Sequence, residues 1–314
     1  MMDRRDMLRL GLSGAAALAS RSVHAEMTNP RTRIVFLGTK GGPRVGIGAS
    51  NPANLVVANG VPYVIDCGMG ISRQLVSAGV PIPSVKYIFI THHHSDHNLE
   101  YGNLAYNAWA AGLSTPIHSF GPAGLEQMTR DFWQLNKFDV DTRIEDERRP
   151  DPRKLLIAKD IAADGVVLQT DDIKVTAFRT PHPPIVDNFA YKFETPDGVI
   201  VFSSDTNYNP RLAEFARGAD VLVHECLYLP AVDRLVLKTK NGATLKQHLL
   251  ASHTTTEDVG RIAAAAGVKV LVLSHFVPGD DPLVTDDNWT EDVKKNYSGR
   301  TVVAKDLMEL KLPV

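Results

Sequence analysis

Residues 90–98 read ITHHHSDHN, directly after the compact apolar run VKYIFI (85–90). Four imidazoles and one carboxylate fall within nine residues. The pattern is His92-x-His94-x-Asp96-His97. Alternate residues of an extended loop point to the same side, so His92 and His94 share a face while His93 faces away. Asp96 and His97 open the next helical stretch and can turn toward a second point. One tight loop can thus serve two neighbouring cations. Neutral imidazole and carboxylate suit zinc first, with manganese or iron as alternatives. A solvated polar loop has no need of such a set, and burying these rings unpaired would be costly.

Two cations need more donors than one loop holds, and the rest of the chain offers them at strand ends. His182 lies in TPHPP after IKVTAF, Asp205 in FSSDT after VIVF, and His275 in LSHF after VKVLVL. Polar residues that end apolar strands are common site residues in layered α/β proteins. Singly, each reads equally well as a capping or turn residue. With the window, they complete a set of seven donors, five His and two Asp.

The surrounding pattern predicts strands at 33–38, 55–59, 63–66, 85–90 and over IHSFG (117–121). A second run of strands (VVLQT, IKVTAFRT, FAYKFET, VIVFSSD, VLVHE, VKVLVLSH) follows, with helices between and DLMELKL as a closing strand. Two strand runs, each with helices, predict an α/β (α+β) fold of two packed sheets with helices outside. The stretch 137–164 is charged, contains two prolines and reads as a surface insertion or lid. No internal repeat at a solenoid period is present.

At 314 residues and 44% hydrophobic content, the chain can bury one large core or two smaller ones. No apolar run reaches the length needed to span a bilayer. Residues 1–25 stand apart: paired Arg4 and Arg5, a Gly/Ala-rich apolar run over 10–19, then the small-residue site ending at Ala25. That layout predicts a Tat-type signal peptide cleaved after Ala25, hence an exported, periplasmic protein with no stable membrane insertion afterwards. Removing Arg4, Arg5, Arg9, Arg21, Asp3 and Asp6 takes 34 Lys+Arg to 30 and 36 Asp+Glu to 34, a net charge of −4. With no basic run outside the leader, no nucleic-acid partner is expected. Cys67 and Cys226 each follow a buried-looking strand and read as two free thiols rather than one bridge.

THHHSDH, the FSSDT strand end, LVHE, ASHTT and LSHF together resemble the metallo-β-lactamase-fold hydrolases, on the side of ribonuclease Z and the metal-dependent arylsulfatases. The resemblance runs from about Arg33 to the C-terminus. It implies a single domain over 30–314 built as a four-layer αββα sandwich. It also implies two divalent ions, most readily Zn2+ (or Mn2+ or Fe): His92, His94 and His182 on one, Asp96, His97 and His275 on the other, Asp205 bridging. Asp96 counts among the catalytic groups as well. His253 of ASHTT would assist the leaving group and Glu225 of LVHE would orient it, since a carboxylate fixes an imidazole's tautomer. A buried structural acid is the other reading of Glu225, and a cap or loop role the other reading of His253. His224 and His248 stay open between supporting the site and packing.

Gly46-x-Gly48 lacks the spacing of a dinucleotide loop. Arg44 reads as a surface residue, and Asp66 as a structural acid beneath the histidine loop. A pair of neighbouring cations lowers the pKa of a shared water, which suits attack on an ester at neutral pH. The expected function is an exported binuclear hydrolase of small anionic esters, of arylsulfatase or phosphodiesterase type, with a homodimer admitted. The alternatives are a lactonase or β-lactamase-like acyl hydrolase and a tRNA-processing nuclease.

Overall fold

The computed structural model describes residues 30–45 and 48–314; the leader-like stretch 1–25 lies outside the described residues. The first half runs β1 (Thr32–Gly38), β2 (Ala53–Ala58), β3 (Val61–Ile65), α1 (Ile71–Ser77), β4 (Tyr87–Phe89), α2 (Ser95–Asn98), α3 (Tyr101–Ala110), β5 (Ile117–Gly121), α4 (Leu125–Leu135), α5 (Lys137–Glu147) and β6 (Leu156–Asp160). The second half runs β7 (Gly165–Gln169), β8 (Lys174–Arg179), β9 (Phe189–Thr195), β10 (Gly198–Phe202), α6 (Pro210–Phe215), β11 (Val221–Leu227), α7 (Leu229–Leu237), α8 (Gly242–Ser252), α9 (Thr256–Ala266), β12 (Val270–Val277), α10 (Asp286–Glu291) and β13 (Arg300–Val303). A last strand, β14 (Glu309–Leu312), returns to the first sheet.

Two seven-stranded sheets result, ordered β14-β1-β2-β3-β4-β5-β6 and β13-β12-β11-β10-β9-β8-β7. Each is antiparallel on one side and parallel on the other, with the change at β3–β4 in the first sheet and at β10–β11 in the second. Most strands are buried on both faces, and their alternation sorts side chains between layers. In β1, Ile34 and Phe36 enter the core between the sheets, whereas Val35 and Leu37 meet the helices of the first half. In β12, Val270 and Val272 face the other sheet, whereas Leu271 and Leu273 pack under α9. Phe89 meets Tyr191 and Phe193 edge-on across the layers at 5.5 and 5.3 Å between centroids. Fully burying such a ring contributes roughly 1.5–3 kcal/mol. The outcome is the four-layer αββα sandwich, with helices outside both sheets.

The stretch 137–164 differs from the expected insertion or lid. Its first part is α5, and its second part is β6, hydrogen-bonded in parallel to β5 as the edge of the first sheet. Its charge follows from that edge and surface position: β6 alternates buried and exposed residues, and Asp139, Asp141 and Glu147 pair with Arg143, Arg153 and Arg149. None of its residues lines the cavity described below.

Asp306, just ahead of β14, ties the sheet ends together. Its carboxylate accepts from Thr39 N (3.0 Å), Thr39 Oγ1 (2.9 Å), Ser50 N (2.7 Å) and Gln74 Nε2 (3.1 Å), so one half-buried acid fixes both ends of the loop after β1 and the helix beside it. Replacing Asp306 with Ala leaves two backbone donors unpaired. Equilibrium unfolding in urea is expected to show a loss of about 2–3 kcal/mol; a midpoint equal to wild type would remove this role.

Candidate metal centre

The histidine window occupies the end of β4. Phe189 N donates to Thr91 O (3.0 Å), holding the start of the loop against the second sheet. Asp66 sits beneath it with φ 63°. Its carboxylate accepts from Thr91 N (2.8 Å), from Thr91 Oγ1 (3.0 Å) and from His97 Nδ1 (2.8 Å). His92 and His94 do share a face: His92 Nε2 and His94 Nδ1 stand 3.0 Å apart. Asp96 and His97 lie on α2 and point to a second locus. His93 turns away, its Nδ1 paired with Asn98 at 3.0 Å.

The three distant residues come to the same place. His182 Nε2 is 3.1 Å from His94 Nδ1, while its Nδ1 donates to the carbonyl of Ser252 at 2.8 Å. His275 Nε2 is 3.2 Å from His97 Nε2 and 3.1 Å from Asp205 Oδ2. His97 Nε2 is 3.4 Å from the same Asp205 oxygen, and Asp96 Oδ2 lies 3.6 Å from His275 and 3.7 Å from His97.

Local backbone explains two of these placements. Along β11–β12, Glu225 pairs with Ser274 and Cys226 with Phe276, so His275 is the extra residue of a bulge, with φ 48°. A bulge re-aims a side chain out of the ladder. Gly41 completes the fit, since a Cβ there would stand 2.7 Å from the His275 ring. Asp205 follows β10 and Ser204, whose φ is 59°. Buried Asn188 holds that turn, donating to Asp205 O (2.7 Å) and Thr180 Oγ1 (2.7 Å) and accepting from Ser204 Oγ (2.6 Å).

The donors fall into two sets, His92, His94, His182 and Asp205, and Asp96, His97 and His275, with the ligand atoms of each within 4.8 Å of one another. Asp205 also reaches the second set. His92 and His182, each with Nδ1 engaged outward, turn Nε2 toward His94 Nδ1, where ring nitrogens 3.0 and 3.1 Å apart set lone pair against lone pair. That donor chemistry fits two divalent cations. His253 also falls within ligand reach of Asp205 and His275. Its Nδ1 stands 3.2 Å from Glu225 Oε2 and 3.9 Å from Asp205, so the glutamate is its nearer partner. Glu225 Oε1 accepts from Thr254 N (2.7 Å) and Thr206 N (3.3 Å).

Charge follows burial. Desolvation and the neighbouring rings push His92 well below the usual imidazole range and His94 and His182 down to about 4. Burial acts the same way on His97 and His275, but Asp205, aided by Asp66 and Asp96 at His97 and by Asp96 at His275, outweighs it. His97 is held well above its usual value and His275 is raised to about 10. Burial would raise Asp205 and Asp96 too; the His97 and His275 rings override it and hold both below the carboxylate range.

His248 lies on α8 at the cavity wall, its ring centroid 6.2 Å from that of His94. His224 is buried in β11 and donates from Nδ1 to Glu225 O (2.7 Å). Cys67 and Cys226 are both buried and free, and burial pushes both thiols up. Thr91 and Asn188 hold the donor loops in place, and Lys40 lines the cavity over them. Thr91 alone carried a signal, as the residue between strand and histidines. A cavity of about 280 Å³ opens over the donors, walled by Leu235, Leu245, Leu249 and Val277 on one side and by Lys40, Arg44 and His248 elsewhere.

The model of the family described as "Anti-Pycsar protein Apyc1" matches residues 32–234, a span that includes every donor except His275 and ends before His253. A ribonuclease Z of Mycolicibacterium gilvum is 26% identical over 280 residues, covering 87% of this chain and 94% of that protein. The metallo-β-lactamase-fold protein YhfI of Bacillus subtilis superposes with a TM-score of 0.67 at 21% identity, covering 90% of this chain and all of the other. The Zn2+-bound PqqB of Methylobacterium extorquens superposes with a TM-score of 0.67 at 14% identity, covering 89% of this chain and all of the other. The fold is thus the metallo-β-lactamase fold.

With His275 raised to about 10 and His97 held above its usual value, while His94 and His182 are lowered to about 4, binding of Zn2+ to metal-free protein at pH 7.5 is expected to expel protons. Calorimetric titrations in buffers of different ionisation enthalpy are expected to show release of about two protons per chain. A binding heat independent of the buffer would contradict the charge assignment.

Proposed function

The chain belongs to the family of Anti-Pycsar protein Apyc1, and on that premise we propose a metal-dependent phosphodiesterase acting on small anionic phosphoric esters. The carrying observation is the buried seven-donor cluster with the His253–Glu225 pair beside a small cavity that is apolar on one wall and cationic on another. His92, His94 and His182 would hold one divalent cation and Asp96, His97 and His275 the other, with Asp205 between them. Zinc is the ion we assign, in keeping with the imidazole-rich set and with the Zn2+-bound PqqB of the same fold. Such a pair supplies Lewis acidity, neutralises the anionic ester and makes water nucleophilic at neutral pH.

The chain's own residues do the rest. Glu225, fixed by two backbone amides, engages His253 at Nδ1 and leaves Nε2 to protonate the departing ester oxygen. Leu235, Leu245 and Leu249 receive the organic group and keep water from its far side. The phosphoric-ester assignment draws on the ribonuclease Z relatives. A tRNA nuclease is the competing reading from the same names. A net charge of −2 and a cavity of about 280 Å³ favour a small ester over a polyanion. With residues 1–25 as a leader, the substrate would be met outside the cytoplasm.

A panel of bis-aryl phosphate, aryl sulfate, lactone, β-lactam and a tRNA precursor tests the assignment. Turnover is expected to be fastest on the phosphate diester and lost by at least a hundredfold in Asp205→Ala; preferred cleavage of any other member would replace the assignment. His253→Ala is expected to slow diesters with poor leaving groups far more than those with good ones. An equal loss on both would remove the proton-donor role.

A further inference from the structure

Lys40 is the buried charged group among those that line the cavity without a role in the chemistry above. It follows β1 in GTKGGP (38–43) and is 3% exposed. Its Nζ donates to the carbonyls of Gly41 and Gly42, both at the long distance of 3.3 Å. No carboxylate among the described residues forms an ion pair with it. The nearest acids are Asp280, exposed at the cavity rim, and Asp96, whose Oδ2 already accepts from Gly42 N at 2.8 Å. Burial pushes the Lys40 ammonium below its usual range, with Asp280 and Asp96 opposing. A buried ammonium with two weak hydrogen bonds and no counter-ion costs free energy unless a ligand supplies the anion.

The backbone makes the position a fixed one. Lys40 N donates to Ser50 O (3.0 Å), Gly41 N donates to Phe276 O (3.1 Å), and Lys40 bridges Phe276, the residue after the bulged His275. Gly279 closes from the other side; a Cβ there would lie 3.1 Å from Lys40 Cγ. The lysine stem is thus gripped by the same strand end that aims His275, and it lines the cavity with Asp96, Asp205 and His275.

We propose that Lys40 is a substrate-anchoring residue whose ammonium donates to a non-bridging oxygen of the phosphoric ester held over the metal cluster. This rests on the phosphodiesterase reading above. A lysine that only clasps the loop at 41–43 is the opposing account, and Lys40→Gln separates the two, because an amide keeps a donor for the carbonyls and loses the charge. Lys40→Arg keeps the charge.

The test uses full-length, metal-loaded protein. It measures metal content, kcat and KM for a bis-aryl phosphate, and calorimetric affinity for inorganic phosphate, which needs no turnover. In Lys40→Gln, phosphate affinity and KM are expected to worsen by about tenfold or more with metal content unchanged and kcat within about threefold, and Lys40→Arg to recover part of the loss. Phosphate affinity unchanged in Lys40→Gln, or no phosphate binding by wild type, overturns the anchor. If Lys40→Gln loses metal, Lys40→Met and Lys40→Arg are compared: a phosphate affinity restored by Arg alone supports the anchor, and one lost equally in both overturns it. Lys40-dependent phosphate binding without diester turnover would sink the phosphodiesterase reading and leave the anchor standing.

Discussion

The Asp205 carboxylate is the constraint on which the site depends. It stands 3.1 Å from His275 and 3.4 Å from His97, and it shares ligand reach with His92, His94 and His182. Five imidazoles gathered in a protein interior have no reason to stay together: burial disfavours their charged form, and their neutral forms oppose lone pairs. One buried negative charge at the centre changes that balance. With Asp66 and Asp96 aiding, it raises His97 and His275 against the desolvation that lowers the other rings. Cations would replace the protons on His97 and His275 in the same geometry.

That centre is assembled by strand ends from both sheets, and the scaffold absorbs some local cost to bring them together. Asp66, Ser204 and His275 all adopt positive φ without being glycine. Such conformations cost of order 1–3 kcal/mol each and persist where surrounding contacts over-determine them. The contacts are visible: three donors on Asp66, the Asn188 bridge around Ser204, and the β11–β12 ladder on both sides of the bulge. The outward nitrogens are restrained too, His97 by Asp66, His182 by Ser252 and His253 by Glu225. Each restraint fixes which nitrogen faces the centre, so ring chemistry is settled one layer away from the donors.

Much of this was legible from the chain because apolar periodicity and polar strand ends are local signals. The strands from β1 to β5 and β7 to β12, and the seven donors, follow from runs such as VKYIFI and VKVLVL ending on His or Asp. β6 was not legible: its alternation sits within a charged stretch, and a sheet edge with one solvated face resembles an insertion. The bulge at His275 was equally hidden, since it depends on β11 being one residue shorter across the ladder. Lys40 and Asn188 carry no sequence signal because their roles arise from burial, a property of the folded layers.

The cavity divides into a polar floor and an apolar wall with different structural dependencies. The floor is welded into the core between the sheets, where Phe89, Phe202, Val223 and Val272 lie on the strands that carry the site residues. The wall comes from α7 and α8, whose Leu235, Leu245 and Leu249 pack on a small satellite cluster with Leu227, Val232 and Val277. A segment resting on so few buried neighbours can change its side chains with little effect on global stability, whereas any shift of the floor disturbs both sheets. On the proposed function, the fold separates the chemistry, fixed by sheet packing, from the choice of organic group, which would fall to one helical hairpin. Lys40 stands at the seam, with its backbone tied to β12 and its side chain among the residues that line the cavity.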